Sequence, residues 1–172
     1  MQRFETVFDV DAPPHRVWKL LHRPPPPGSP SPRTVEYQGG SMTILLEGDE
    51  NGQGMVRTCE FHVPKWLLSG GKARSWELVT EVKPLEYAKY EGIGKPLWSR
   101  AAGWHELQPL DSGGTRLTFV ETYHVNNRVM RALFEKRVHR FISKDNHDLY
   151  LSLLGYLGTV THVSTSRHTG PA

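Results

Sequence analysis

The sequence predicts an α+β fold in which a curved antiparallel β-sheet wraps around one long C-terminal α-helix. Residues 126–157 carry apolar side chains at spacings of three and four, which is the period of one helix face. Residues 34–125 instead divide into short strand-like segments separated by turns that contain glycine or proline. The apolar face of the helix needs a partner, and we expect these strands to provide it because no comparable helix is predicted elsewhere.

The long helix is predicted to cover residues 127–156, roughly 45 Å at 1.5 Å per residue. Asn126 or Asn127 is expected to cap it, because a side-chain amide oxygen accepts the free N–H groups of a first turn. Gly155 or Gly158 is expected to end it in a left-handed conformation. Its apolar residues are Val129, Met130, Leu133, Phe134, Val138, Phe141, Ile142, Leu149, Leu153, Leu154 and Leu157.

The N-terminal part of the chain predicts a strand, a short helix and a connector. Residues 2–10 alternate with period two, which is typical of a strand with one buried face. Residues 11–14 (Asp-Ala-Pro-Pro) are typical of a helix start, because proline is tolerated in a first turn. Residues 23–33 contain six prolines and are predicted to form an extended surface loop.

The central part predicts about six antiparallel strands. Asn51-Gly52 gives a strong hairpin signal, and residues 111–114 give another. The predicted strands cover residues 41–47, 55–63, 73–82, 86–92, 97–107 and 115–125. We expect one domain over residues 1–158, followed by a flexible tail at 159–172 that shows no packing pattern.

Composition favours a soluble cytoplasmic protein. The chain has 172 residues, a net charge of +3 and no apolar run long enough to span a membrane. The N-terminus shows no apolar signal-peptide core, and the single Cys59 suits a reducing compartment. Cys59 is expected to be a small buried strand residue. The mildly basic charge does not by itself indicate nucleic-acid binding.

Three stretches carry a resemblance to a known family: FDVDAPPHRVWKLL, WHELQPLDSGGTRLTFVETY and FEKRVHRFISKDNHDLYLSLL. With the order of predicted elements over residues 2–157, they resemble the START/Bet v1-like (SRPBCC) superfamily, and within it the polyketide cyclase/dehydrase-like branch. The resemblance implies a helix-grip fold whose cavity binds a hydrophobic or amphipathic small molecule. Members include polyketide aromatase/cyclases and lipid or hormone carriers. Many relatives have a second short helix where this chain has its proline loop.

Strand alternation predicts the residues that line such a cavity. On the last strand, the more apolar face carries Leu117, Phe119, Glu121 and Tyr123. On residues 98–108, two tryptophans favour the Trp98, Arg100, Trp104 face as the lining, because exposing them would be costly. The alternatives are that Arg100 and Glu121 pair with each other, or that the strand phase is wrong by one residue. The predicted ligand-binding residues are Trp76, Leu78, Trp98, Trp104, Phe119, Phe134 and Phe141.

No motif indicates a metal or another cofactor, and we expect none. The nine histidines lack the convergent spacing of a zinc site, and no glycine loop precedes a helix as a phosphate site requires. The polar side of the long helix is basic, which favours a solvated surface over nucleic acid. A transient contact with an anionic membrane remains as an alternative, through Trp66, Leu67 and Leu68 beside Lys65 and Lys72.

The first functional hypothesis is a monomeric or homodimeric protein that binds a small hydrophobic ligand without turnover. The second is a cyclase or dehydratase that uses Glu121, Tyr123 and Arg100 as acid, base and orienting groups. The third is an interaction module whose interior is a packed core.

Overall fold

The structure, a computed structural model, describes residues 1–22, 32–37, 40–67 and 69–169. The predicted proline loop falls outside these residues, apart from Pro32 and Arg33. Leu68, one of the predicted membrane-contact residues, also falls outside them.

The described residues form one antiparallel sheet of nine strands, in the order β2-β3-β4-β5-β6-β7-β8-β1-β9. Strand register is irregular in the β1–β9, β3–β4 and β5–β6 pairs, where β9, β3 and β5 each carry one extra residue. The strands are β1 (Gln2–Val10), β2 (Arg33–Tyr37), β3 (Gly40–Leu46), β4 (Val56–His62), β5 (Lys72–Lys83), β6 (Tyr87–Lys95), β7 (Ser99–Pro109), β8 (Thr115–Val125) and β9 (Val160–Thr169).

The helices are α1 (Pro14–His22), a 3₁₀ turn (Lys65–Leu67), α2 (Arg128–Met130) and α3 (Lys136–Leu154), with a π-helical stretch, Arg131–Glu135, joining the last two. The run from α2 through α3, here called the C-terminal helix, confirms the predicted long helix. The π-helical stretch was not predicted. No helix in the described ranges has the length and hydropathy needed to cross a lipid bilayer.

The two ends of the C-terminal helix distinguish between the predicted caps. Asn127 caps the start, because its side-chain oxygen accepts hydrogen bonds from Val129 N at 3.0 Å and Met130 N at 3.1 Å. Gly155 has a right-handed φ of −57°, so the predicted left-handed end is absent there. Gly158 has a φ of +153°, and a Cβ atom on it would lie 2.9 Å from the Asp11 carbonyl oxygen.

The segment after Gly158 differs from the prediction of an unstructured tail. Residues Val160–Thr169 form β9, which pairs with the whole length of β1. The Arg167 guanidinium lies over the Phe4 ring at 5.4 Å, and the His162 ring lies 5.8 Å from that of Phe8. The strand therefore extends the sheet beyond β1, although most of its residues are exposed.

Two apolar clusters fill the ends of the space between the sheet and the C-terminal helix. The first apolar cluster consists of Phe8, Val10, Ala12, Val17, Leu107, Leu117 and Leu154. The second apolar cluster consists of Leu67, Leu97, Tyr123, Val125 and Val138. Because β8 contributes to both, the middle of β8 lies between them.

Candidate functional site

The inner face of the sheet is the face directed toward the C-terminal helix. On β8, the predicted residues of this face are confirmed. The predicted set is buried: Leu117, Phe119, Glu121 and Tyr123. Contacts with α3 confirm the direction, because Phe119 lies 4.6 Å from the Tyr150 ring and Tyr123 stacks on His139 at 6.2 Å. Asn146 of α3 donates a hydrogen bond to Glu121 Oε2 at 3.0 Å.

The predicted phase of β7 is wrong by one residue. Gly103 lies opposite Glu121 and Ala101 lies opposite Tyr123, so the alternating set on the inner face is Ser99, Ala101, Gly103, His105 and Leu107. Arg100 lies opposite His124 on the outer face and is exposed. The predicted group of Glu121, Tyr123 and Arg100 is therefore not assembled, because Tyr123 belongs to the second apolar cluster and Arg100 faces away.

The tryptophans that led to this prediction lie on the outer face or in a turn. Trp76 and Trp104 face outward, and Trp98 lies in the β6–β7 turn, 55% exposed. Cations cover their rings and reduce the cost of exposure. The Lys95 ammonium lies 5.5 Å from the Trp76 ring and 4.5 Å from the Trp98 ring, and the Arg3 guanidinium lies 5.3 Å from the Trp104 ring.

The other predicted ligand-binding residues are divided between the two faces. Leu78 is 44% exposed on the outer face, so its predicted role is wrong in placement. Phe119 is buried on the inner face. Phe134 packs against the second apolar cluster, and Phe141 is half-buried on α3.

Small residues on the inner face of β7 leave room for a large side chain from β6. Tyr90 lies opposite Gly103, and its ring crosses the Gly103 backbone so closely that a Cβ atom there would lie 2.4 Å from the ring. Gly103 therefore allows Tyr90 to lean toward β8 and Glu121.

A polar cluster occupies the middle of the inner face between the two apolar clusters. It consists of Arg57, Ser75, Glu77, Tyr90 and Glu121 from the sheet with Asn146 and Tyr150 from α3. Arg57 Nε donates to Glu77 Oε2 at 2.8 Å, and the Ser75 hydroxyl donates to Glu77 Oε1 at 2.7 Å. The Arg57 guanidinium also lies 5.2 Å from the centre of the Tyr90 ring.

Burial shifts the ionisation of the polar cluster. Burial, with a smaller contribution from the charge of Glu77, raises the pKa of Glu121 to about 8, against a hydrogen bond from Asn146 that lowers it. Burial is the largest single influence and disfavours the charged Arg57 guanidinium, but its interactions with Glu77, Cys59 and Tyr90 together outweigh burial and raise the pKa of Arg57. Burial also raises the pKa of Tyr90 and of Tyr150 above the ordinary phenol value.

Several polar atoms of this cluster have unused hydrogen-bonding capacity. Among the described residues, the hydroxyls of Tyr90 and Tyr150 and the second carboxyl oxygen of Glu121 have no hydrogen-bond partner. Tyr90 and Tyr150 are themselves only half-buried, although both lie between the sheet and the helix.

A pair of histidines borders the polar cluster near α1. His22 Nε2 and His105 Nε2 lie 2.8 Å apart, and the His22 ring stacks on Trp18 at 3.8 Å. Burial lowers the pKa of His22 to about 4 and that of His105 to about 3, and nearby Arg57 acts in the same direction. Both imidazoles are therefore neutral at pH 7, and one ring donates to the other.

A family model described as polyketide cyclase / dehydrase and lipid transport matches residues 1–150. The chain belongs to this family. Comparison with the curated proteins gives no match. The family is one of small-molecule-binding or cyclase-type proteins, and the nine-stranded sheet around the C-terminal helix is its Bet v1-like, helix-grip arrangement.

Solved structures show the same fold at low sequence identity. A conserved protein from Geobacillus kaustophilus is 18% identical with a TM-score of 0.63, and the match covers 97% of this chain and 99% of that one. Ara h 8.0201 is also 18% identical with a TM-score of 0.63, and the match covers 90% of this chain and 96% of that one. DynU16, from the dynemicin biosynthetic locus, is 13% identical with a TM-score of 0.55, and the match covers 91% of this chain and 47% of that one.

Sequence reasoning missed most of the polar cluster in this family member. The available signal was strand register: once Glu121 is placed inward, Gly103, Tyr90 and then Glu77 can be placed by counting across hairpins. The irregularity between Val79 and Glu81 interrupts this counting along β5, and no local pattern marks it.

Proposed function

We propose that this protein binds an amphipathic small molecule carrying ketone or hydroxyl groups in the space between the sheet and the C-terminal helix. The observation that carries the proposal is the polar cluster with open hydroxyls, set between two apolar clusters. A ligand pocket is mostly apolar with a few placed polar groups that fix the orientation of the ligand.

The charges of the polar cluster favour a neutral or weakly acidic ligand. Arg57 is already paired with Glu77, so its charge is largely compensated. Glu121 holds its proton below a pH of about 8, so it can donate a hydrogen bond to a ligand carbonyl. Tyr90 and Tyr150 are protonated at neutral pH, as phenols ordinarily are, and burial raises the pKa of each further, so they can donate in the same way.

The family description supports this class of ligand, since it names polyketide cyclases and dehydrases together with lipid transport. Polyketides and lipids both combine an apolar skeleton with a few oxygen atoms. The two apolar clusters would contact the skeleton, and the polar cluster would meet the oxygens.

A binding titration tests the proposal. We expect 1,8-dihydroxyanthraquinone to bind more tightly than anthracene, a hydrocarbon of similar shape. Tyr90→Phe removes one donor and should weaken quinone binding by roughly 3- to 10-fold, since one hydrogen bond contributes about 0.5–1.5 kcal/mol.

Tyr87→Phe is the matched control, because Tyr87 lies on the same strand and faces the outer side. Quinone affinity should be unchanged in this variant. No quinone binding by the wild-type protein, or equal affinity in wild-type and Tyr90→Phe, would overturn the proposal.

A second candidate function is proton transfer at a ketone by Glu121, as a cyclase or dehydratase requires. The observation that favours it is a buried carboxyl with a pKa of about 8 and one open oxygen. A base titrating near the working pH combines a useful ionised fraction with a useful basicity. Glu121 would remove a proton from the carbon beside a ligand carbonyl, and Tyr90 would donate a hydrogen bond to the resulting enolate oxygen.

Deuterium exchange into the methyl group of 4-hydroxyacetophenone, followed by NMR in deuterated buffer, tests this second function. The wild-type rate should rise as pH passes through about 8, because the carboxylate forms there. Glu121→Gln should abolish the excess rate while retaining binding of the ketone. Exchange no faster than in buffer, or unchanged exchange in Glu121→Gln, would exclude Glu121 as the base.

A further inference from the structure

A group of exposed apolar side chains lies at one end of the molecule, away from the polar cluster. Trp66 is 44% exposed, Trp98 55%, Val129 64% and Leu133 59%, and Met130 is also exposed at 38%. These five residues are here called the apolar end. Such a concentration of large exposed apolar side chains marks an interaction surface more often than it occurs by chance.

Three segments meet to form the apolar end. The 3₁₀ turn joins the C-terminal helix through a stack of Trp66 on Phe134, with ring centres 6.1 Å apart. The β6–β7 turn joins it where the Asn126 N–H donates to the Trp98 carbonyl oxygen at 3.2 Å. Beneath them, Leu67 and Leu97 pack in the second apolar cluster, so a rigid base supports the exposed side chains.

The sequence-based prediction that Leu67 contacts a membrane is wrong. It is only 4% exposed and belongs to the core, so it is not available to touch another surface. Val129 and Leu133 are exposed instead, and they belong to the C-terminal helix, on which Trp66 stacks through Phe134.

Positive charge surrounds the apolar end. The exposed cations of these segments and their flanks are Lys65, Lys72, Lys95, Arg128, Lys136 and Arg137. Across residues 63–71, 95–99 and 126–137 the sequence contains a single carboxylate, Glu135, and Glu60, which lies beside Lys72, is paired with Arg74. Glu135 is 4% exposed and accepts a hydrogen bond from the Val125 N–H at 2.8 Å, so its charge is turned inward.

We propose that the apolar end docks on an anionic membrane surface. Tryptophan favours the boundary between headgroups and acyl chains, and lysine and arginine beside it are attracted to anionic headgroups. Val129 and Leu133 lie one turn apart and would enter the acyl boundary together with Trp66. This surface is separate from the polar cluster, so docking does not depend on the proposed ligand.

Vesicle co-sedimentation tests the docking. The probes are vesicles of phosphatidylcholine alone and of phosphatidylcholine with phosphatidylglycerol at seven to three. The wild-type protein should bind the anionic vesicles at least tenfold more tightly than the neutral ones, and high salt should weaken that binding. The double variant Val129→Ser/Leu133→Ser should bind the anionic vesicles at least tenfold more weakly.

Leu46→Ser and Tyr156→Ser are matched controls, because these residues are 59% and 77% exposed but lie outside the apolar end. They should leave vesicle binding unchanged, and circular dichroism should show that every variant is folded. Absence of binding to anionic vesicles, or an equal loss in the controls, overturns the proposal. A wild-type dimer in light scattering that Val129→Ser/Leu133→Ser dissociates also overturns it, because a second copy then covers the surface.

Discussion

Glu121 shows how a single strand residue acquires unusual chemistry from its surroundings. Its side chain extends from β8 into the space beneath α3, where Asn146 is the one described residue within hydrogen-bonding distance of it. A carboxyl in such a place loses the hydration that stabilises its ionised form, so burial raises its pKa to about 8. The same residue is therefore a hydrogen-bond donor at pH 7 and a base at a slightly higher pH.

The raised pKa of Glu121 predicts a pH-dependent cost to stability. Between pH 4.5, the ordinary value, and about 8, the folded state retains a proton that the unfolded state has released. The contribution of the protonated Glu121 side chain to the unfolding free energy is therefore fully present below pH 4.5, and this contribution is lost as pH rises toward 8. Glu121→Gln removes this loss. As pH rises from 5.5 to 7.5, the unfolding free energy of the variant, measured with urea, should therefore increase by about 2–3 kcal/mol relative to that of the wild-type protein.

Glu86→Gln provides the control for this measurement, because Glu86 is exposed in the β5–β6 turn. Its unfolding free energy should follow that of the wild-type protein across the same pH range. Parallel curves for Glu121→Gln and wild-type would show that Glu121 is ionised normally in the folded state.

Gly103 predicts a second effect at the residue scale. A methyl group at this position would overlap the Tyr90 ring, so Gly103→Ala should lower the unfolding free energy by about 1–3 kcal/mol. The same substitution in a Tyr90→Ala background should cost much less, because the overlapping ring is gone. Additive costs in this double-mutant cycle would mean that Gly103 does not position Tyr90.

The site could be predicted from the sequence only in part, and Arg100 shows why. The alternation of β8 placed Phe119, Glu121 and Tyr123 on the inner face, because burial there matches apolarity. On β7 the bulky residues face outward under cations from other strands, and small residues face inward to make room for Tyr90. Hydrophobicity alone cannot distinguish a tryptophan covered by Arg3 from one buried in a core.

At the scale of elements, the C-terminal helix was predictable because its signals are local. Its three- and four-residue spacing and its asparagine cap both lie within the segment itself. Strand β9 was not predictable from the sequence, because its serine, threonine and histidine side chains show no hydrophobic period. Its pairing depends on the free edge of β1, at the other end of the sequence.

The cap of the C-terminal helix gives a prediction for this element. Asn127→Ala removes the acceptor for two backbone N–H groups and should lower the unfolding free energy by about 1 kcal/mol. Asn126→Ala is the matched control, since the neighbouring Asn126 does not cap the helix. Equal losses in thermal or urea unfolding for the two variants would contradict the assigned cap.

At the scale of the whole molecule, the fold places polar side chains from separate elements in one space. Strands β4, β5, β6 and β8 contribute Arg57, Glu77, Tyr90 and Glu121, and α3 contributes Asn146 and Tyr150 from above. The apolar clusters on either side hold the sheet and the helix together. A packed core would not need open hydroxyls in its middle, whereas a ligand site would use them.

Native mass spectrometry of the protein isolated from the cells that make it tests this account most directly. A discrete mass above the 19.5 kDa chain, lost on denaturation, is the predicted result. Tyr90→Phe/Tyr150→Phe should carry less of it than the Tyr87→Phe control. The bare chain mass in the wild-type protein, with no adduct after incubation with 1,8-dihydroxyanthraquinone, would contradict a ligand site between the sheet and the helix.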